Sequence, residues 1–116
     1  MRSLIFAIAL STVVAAQQTV YEPGNGVSLP VVTKQVKPEY TREAMDAHLE
    51  GVVGLRVVVE NDGTVGEVVV EKSLDPTYGL DQQAVKSMKG WAFKPGMKDG
   101  KPVAVRVHVD IKFTLK

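Results

Sequence analysis

His48 and His108 are the only imidazoles in this chain, which has no cysteine at all. His108 stands between Arg106 and Asp110, two residues away on either side. A metal site or an acid–base pair needs several such groups converging on one point. No Cys/His cluster supplies them, so both histidines read as solvated side chains. Ser73 and Ser87 have no neighbouring base to activate a hydroxyl, which argues against nucleophilic catalysis. Asp62-Gly63 reads as a turn, because the other oxygen ligands of a calcium loop are missing. Without cysteine there is no thiol nucleophile, no Cys-based zinc and no lipidated N-terminal Cys. Trp91 and Phe93 continue the apolar stripe of a helix and read as core residues. The side chains therefore point to no enzyme, no metal and no cofactor. The remaining candidate chemistry is that of main-chain hydrogen bonding along one exposed strand.

That strand runs from Val103 to Lys116. Val103, Val105, Val107, Val109, Ile111, Phe113 and Leu115 are apolar, while Arg106, His108, Asp110 and Lys112 alternate with them. Strict alternation sends one set to each face of a strand, and β-branched residues suit a half-buried pleated surface. The run would be about 45 Å long at roughly 3.3 Å per residue. It is expected at the edge of a sheet with nothing after it to cover it. The alternating charges would protect such an edge against aggregation. They are compatible with a second use, the docking of an extended peptide along Val105, Arg106, Val107, His108, Val109, Asp110, Ile111 and Lys112.

The rest of the chain must position that edge. Its 116 residues leave room for one domain, and 45% of them are apolar. The net charge is +1, with no basic stripe, so nucleic acid is not an expected partner. Met1-Arg2-Ser3, an apolar run from Leu4 to Val14 and the small residues Ala15-Ala16 read as a secretory signal peptide over 1–16. That run is shorter than the roughly 20 apolar residues of a spanning helix. A periplasmic protein starting near Gln17 is expected, the alternative being an uncleaved inner-membrane anchor. Residues 17–33 contain Pro23, Gly24, Asn25, Gly26 and Pro30 without a sustained period, and read as a flexible lead-in.

The folded domain is expected over 34–116. Pro38 holds the chain extended before a helix capped by Thr41, with Glu43 in its first turn and Tyr40 and Met45 at staple spacing. This helix should end between His48 and Gly51. Gly51 to Glu60 has two apolar faces, as a central strand does. Asn61-Asp62-Gly63-Thr64 is a hairpin turn. The return strand, Val65 to Glu71, slips in its alternation near Gly66, where a bulge is expected. A second helix opens at Leu80 with Asp81 as its expected N-cap and ends at Gly90. Trp91 to Pro95 should be a short extended segment, and Met97 to Pro102 a polar turn. The expected fold class is α+β: a three-stranded mixed sheet of order two-one-three with the helices on one face.

Several segments together resemble the C-terminal domain of the TonB family. They are KPEYTREA, EGVV, DGTV, GLDQQAV, WAFKP and GKPV before the closing valine-rich strand, in the family's order across Lys34 to Lys116. No one segment is specific, whereas the ordered set is. The resemblance implies a module that binds the TonB box, a short extended peptide of an outer-membrane transporter. It also implies force received from a proton-driven inner-membrane complex. By the same resemblance Lys37, Pro38 and Tyr40, just before the first helix, join the strand as peptide-binding residues. The chain departs from the family at Thr41, where Pro is usual, at His48, where Gly is common, and at Lys37, where Gln is usual. It also has a cleavable-looking signal and a short lead-in in place of an anchor and a long Pro-rich spacer. These departures bear on the transducing role rather than on the fold. The alternative is a periplasmic structural or self-associating module on the same fold, with a homodimer as its partner state.

Overall fold

A computed structural model describes residues 18–116; the expected signal peptide lies outside them. The elements are β1 (Val20–Tyr21), β2 (Val31–Lys34), α1 (Arg42–Asp46), β3 (Gly51–Val59) and β4 (Val65–Lys72). They continue as α2 (Leu80–Lys89), β5 (Ala92–Lys94), β6 (Gly96–Lys98) and β7 (Lys101–Phe113). The main sheet runs β1-β7-β3-β4. Its three long strands, β4, β3 and β7, stand in the expected two-one-three order.

The helix ends follow from local chemistry. Thr41 is extended, and its Oγ1 accepts the Ala44 N–H at 3.1 Å, satisfying an orphan donor of the first turn. At the other end His48 takes φ 55. The His48 N–H donates to Met45 O and the Leu49 N–H to Ala44 O, both at 3.0 Å, which closes α1 in a Schellman motif. A histidine thus performs the turn that glycine usually makes. Met45 remains 42% exposed, and Tyr40 meets Phe113.

α2 starts differently from the sequence reading. Its N-cap is Gly79, at φ 96, and Asp81 lies inside the first turn. The Asp81 carboxylate turns back to the preceding loop. It accepts the Leu74 and Asp75 N–H groups at 3.0 Å and the Ser73 hydroxyl. Asp75 in turn accepts from Leu80 N–H at 3.2 Å and from Thr77 and Tyr78 N–H. Asp75 therefore serves the helix start that Asp81 was expected to serve. The reason is that the loop Ser73–Gly79 folds over the helix end and needs an acceptor of its own.

β3 is central, as its two apolar faces imply. Val53, Leu55, Val57 and Val59 are fully buried against Ala44, Leu80, Ala84 and Met88, so both helices cover one face. From β7, Val105, Ile111 and Phe113 are buried on that same core side. The β3–β4 turn has Gly63 at φ 87, where a side chain would strike Phe93 O, and the Phe93 N–H donates to Gly63 O at 2.9 Å. The expected bulge is present: Val57 pairs with Val68 but Val59 with Val65. A second register shift separates Gly54–Lys72 from Leu55–Val70.

The described part of the lead-in expected over 17–33 carries strands. β1 pairs parallel with β7, β2 pairs antiparallel with β5, and Val27 is buried and bridged to Lys98. The expected polar turn from Met97 to Pro102 is instead part of a hairpin: β6, starting at Gly96, folds back on β7 through Asp99 and Gly100 at φ 52 and 75. Two successive positive φ values make the tight turn that suits a two-residue hairpin. β7 itself stops at Phe113, short of Lys116.

Candidate functional site: the open edge of the last strand

β7 is flanked by β3 on one side and by β1 on the other. β1 covers only Ala104 and Val105. The edge is therefore not bare along its whole length, as the sequence reading had it. Among the described residues, no strand pairs the side away from β3 between Arg106 and Phe113. Val105 lies under β1 and is fully buried, so it belongs to the covered part.

The direction of the main-chain groups on this edge follows from the neighbouring turn. The Glu60 N–H donates to Thr64 O at 2.8 Å, toward β4. Main-chain groups of successive residues in a strand point to alternate sides. The odd-numbered residues of β3 therefore face β7. Their register is unbroken from Gly51–Phe113 to Val59–Val105. It follows that Val107, Val109 and Ile111 face β3, while Arg106, His108, Asp110 and Lys112 direct N–H and C=O outward. The two periods coincide: these same four residues put their side chains on the sheet face away from the helices.

That face carries fixed charges. Glu71 accepts from Arg56 Nη1 at 3.2 Å with one oxygen and lies 2.8 Å from His108 Nδ1 with the other. Arg56 and His108 are direct cross-strand partners. Arg106 donates to Glu22 Oε2 at 2.7 Å. His108 thus has a partner, where the sequence offered only water.

The residues before α1 come to the same edge. Lys37 and Pro38 line a cleft of about 460 Å³ with Gln35, Val36, Trp91, Asp110, Ile111 and Lys112. They also line an adjoining cleft of about 220 Å³ with Tyr40, Lys112, Phe113, Thr114 and Lys116. The wall is held in place by hydrogen bonds. Val36 O accepts from Ser87 Oγ at 2.5 Å and from Trp91 Nε1 at 3.3 Å, and Tyr40 OH donates to Leu49 O at 2.6 Å. Burial, and then the nearby Glu50 charge, hold the Tyr40 phenol above its usual pKa. Trp91 is half-buried, stacked on Phe93 at 6.2 Å between centroids, and lines the cleft rather than the core alone. Gln35, Val36 and Trp91 were not singled out from sequence as site residues. The one available signal was an aromatic immediately after the Gly90 helix stop.

This arrangement offers main-chain donors and acceptors that no described strand pairs, beside a partly apolar cleft. Residues 36–115 match the family described as the Gram-negative bacterial TonB protein C-terminal. The chain belongs to the TonB C-terminal family. It is 36% identical over 87 residues to Protein TonB of Vibrio cholerae, covering 74% of this chain and 35% of that protein. With Protein TonB of Xanthomonas campestris the identity is 34% over 91 residues, covering 78% and 40%. The chain thus spans well under half the length of these curated TonB proteins. The solution structure of the Pseudomonas aeruginosa TonB C-terminal domain is similar, with a TM-score of 0.60 and 25% identity. That likeness covers 80% of this chain and 90% of the solved one.

Proposed function

We propose that this TonB C-terminal domain is a periplasmic peptide-binding module. It adds an extended, TonB-box-like segment of an outer-membrane transporter to the open edge of β7. The observation that carries this reading is the regular, outward-directed edge from Arg106 to Phe113 beside the cleft at Lys37, Pro38 and Tyr40. An added strand would satisfy the unpaired N–H and C=O groups. The opposite edge of the sheet is a poorer template, because β4 carries two register shifts and bulges break regular pairing.

NMR titration with TonB-box peptides from the same organism tests the reading. Shifts confined to β7 and Gln35–Tyr40 support it. Shifts confined to the helices, or none at millimolar peptide, reject it and favour the self-associating module. A concentration-dependent dimer with protected β7 amides would identify that rival directly. Export is tested by the intact mass of the protein from cells: loss of 1–16 supports a periplasmic product. A full-length product of 12.6 kDa in the membrane fraction would place it at the inner membrane instead.

A further inference from the structure

β1 occupies the same side of β7 as the proposed peptide. Its ladder has only two pairs, Val20–Ala104 and Tyr21–Val105, and runs parallel. The next residue, Glu22, meets Arg106 in an ion pair whose side chains are 66% and 32% exposed. Lys98 Nζ lies 5.8 Å from the centroid of the Tyr21 ring. Exposed ion pairs contribute little to stability, and both β1 residues are only half-buried. The chain just downstream is fastened more firmly. Val27 is 8% exposed and bridged to Lys98, the Ser28 N–H donates to Met97 O at 3.0 Å, and the Met97 N–H donates to Ser28 Oγ at 2.9 Å.

Between these two parts the chain turns tightly. Gly24, Asn25 and Gly26 have φ of 102, 52 and 86, and Gly24 and Val27 exchange main-chain hydrogen bonds at 3.0 Å. β1 can therefore part from β7 at this turn while Val27 and the core stay in place. Its departure would uncover Ala104, whose main-chain groups point outward with those of Arg106.

Resting on the docking reading above, we infer that β1 is the specificity element that sets the length of segment β7 accepts. With β1 in place, an added strand ends at Arg106 against Glu22 and spans about eight residues, roughly 26 Å. With β1 lifted, the edge lengthens by about two residues. The strap therefore selects for short extended segments and against longer strands, including an uninterrupted edge-to-edge pairing of two β7 strands.

The test uses the chain as isolated from cells and two end-blocked Thr-Val repeat peptides, one of eight residues and one of ten. The variants are Glu22→Lys, which turns the Arg106 pair into a repulsion, and Val20→Pro combined with it. In the wild type both peptides should bind within about twofold of each other and protect the outward amides of Arg106, His108, Asp110 and Lys112. In the double variant the longer peptide should gain about fivefold over the shorter, as expected for two more cross-strand pairs, and should protect Ala104. Glu22→Lys alone leaves the buried residues untouched and should show a smaller gain in the same direction. A wild type that already prefers the longer peptide and protects Ala104 with it overturns the inference, as does a double variant without any gain. If neither protein binds either peptide, the docking reading fails first and takes this inference with it.

Discussion

The Tyr40 ring stands edge-on to Phe113, with centroids 5.4 Å apart and planes at 83°. One residue precedes α1 and the other ends β7, so this contact fixes the segment holding Lys37 and Pro38 beside the open edge. Phe113 is 1% exposed, and Phe113→Ala should cost about 3–5 kcal/mol in urea unfolding. Tyr40→Phe keeps the ring contact and loses only the hydroxyl bond to Leu49 O, for about 1 kcal/mol. Equal losses in the two variants would show that the ring contact is not what holds this corner.

The two faces of β7 should differ sharply. Val107 packs against the core cluster, whereas His108 lies on the outer face beside Glu71. Val107→Asp puts a carboxylate against apolar neighbours without a partner, and should unfold the domain at room temperature. His108→Ala should cost less than about 1 kcal/mol, because its pair is exposed. Circular dichroism with urea titration of both variants checks this.

Asp81 gives the fold an acid dependence of known sign. Burial acts to raise its pKa, but the Ser73 hydroxyl and the Asp75 and Leu74 N–H groups together hold it below the ordinary 3.8. A carboxyl whose folded pKa is depressed binds protons more readily when unfolded. Its stabilisation is fully present above 3.8 and is lost as pH falls through the lower, folded value. Asp81→Asn should therefore cost about 1–3 kcal/mol at neutral pH. The gap to wild type should narrow as pH drops below 3.8. Urea midpoints measured from pH 7 down to about pH 2.5 test this, and a gap independent of pH would reject it.

The sequence made the long elements legible because each has a local cause. Alternation marked β7, two apolar faces marked β3 as central, and the slip near Gly66 marked the bulge. Thr41 as a cap and a helix end beginning at His48 were likewise readable from single residues. β1 and β2 were not, because they owe their form to distant partners rather than to a period of their own. All four residues of β2 are exposed, and β1 has only two. The same reason hid part of the site. The outward direction of Arg106 follows from a hydrogen bond at Glu60, and Trp91 joins the cleft through Val36 O, 55 residues away. Asp81 has the sequence position of a helix cap, but the loop before α2 takes up its carboxylate and Asp75 serves the Leu80 N–H instead.

Proline separates the two sides of β7. At His108 and Asp110 the N–H points away from β3, so proline there removes a donor that no described strand uses. At Val109 the N–H faces Leu55, its direct partner in the β3 ladder. Proline is tolerated on an edge whose N–H side is open and breaks a ladder where the N–H is paired. Val109→Pro should therefore lower the urea midpoint far more than proline at either edge position. His108→Pro and Asp110→Pro should keep the dispersed NMR spectrum of a folded domain. Those two should nonetheless lose binding of a TonB-box peptide, since the incoming strand meets a missing donor and a bulky ring. Alanine at Arg106 or Lys112 should weaken binding only mildly, because the pairing runs through the main chain. Two results would count against the scheme. Similar instability of His108→Pro and Val109→Pro would mean that the sides of the strand are assigned wrongly. Full peptide affinity in a folded His108→Pro would mean that the peptide does not add to this edge.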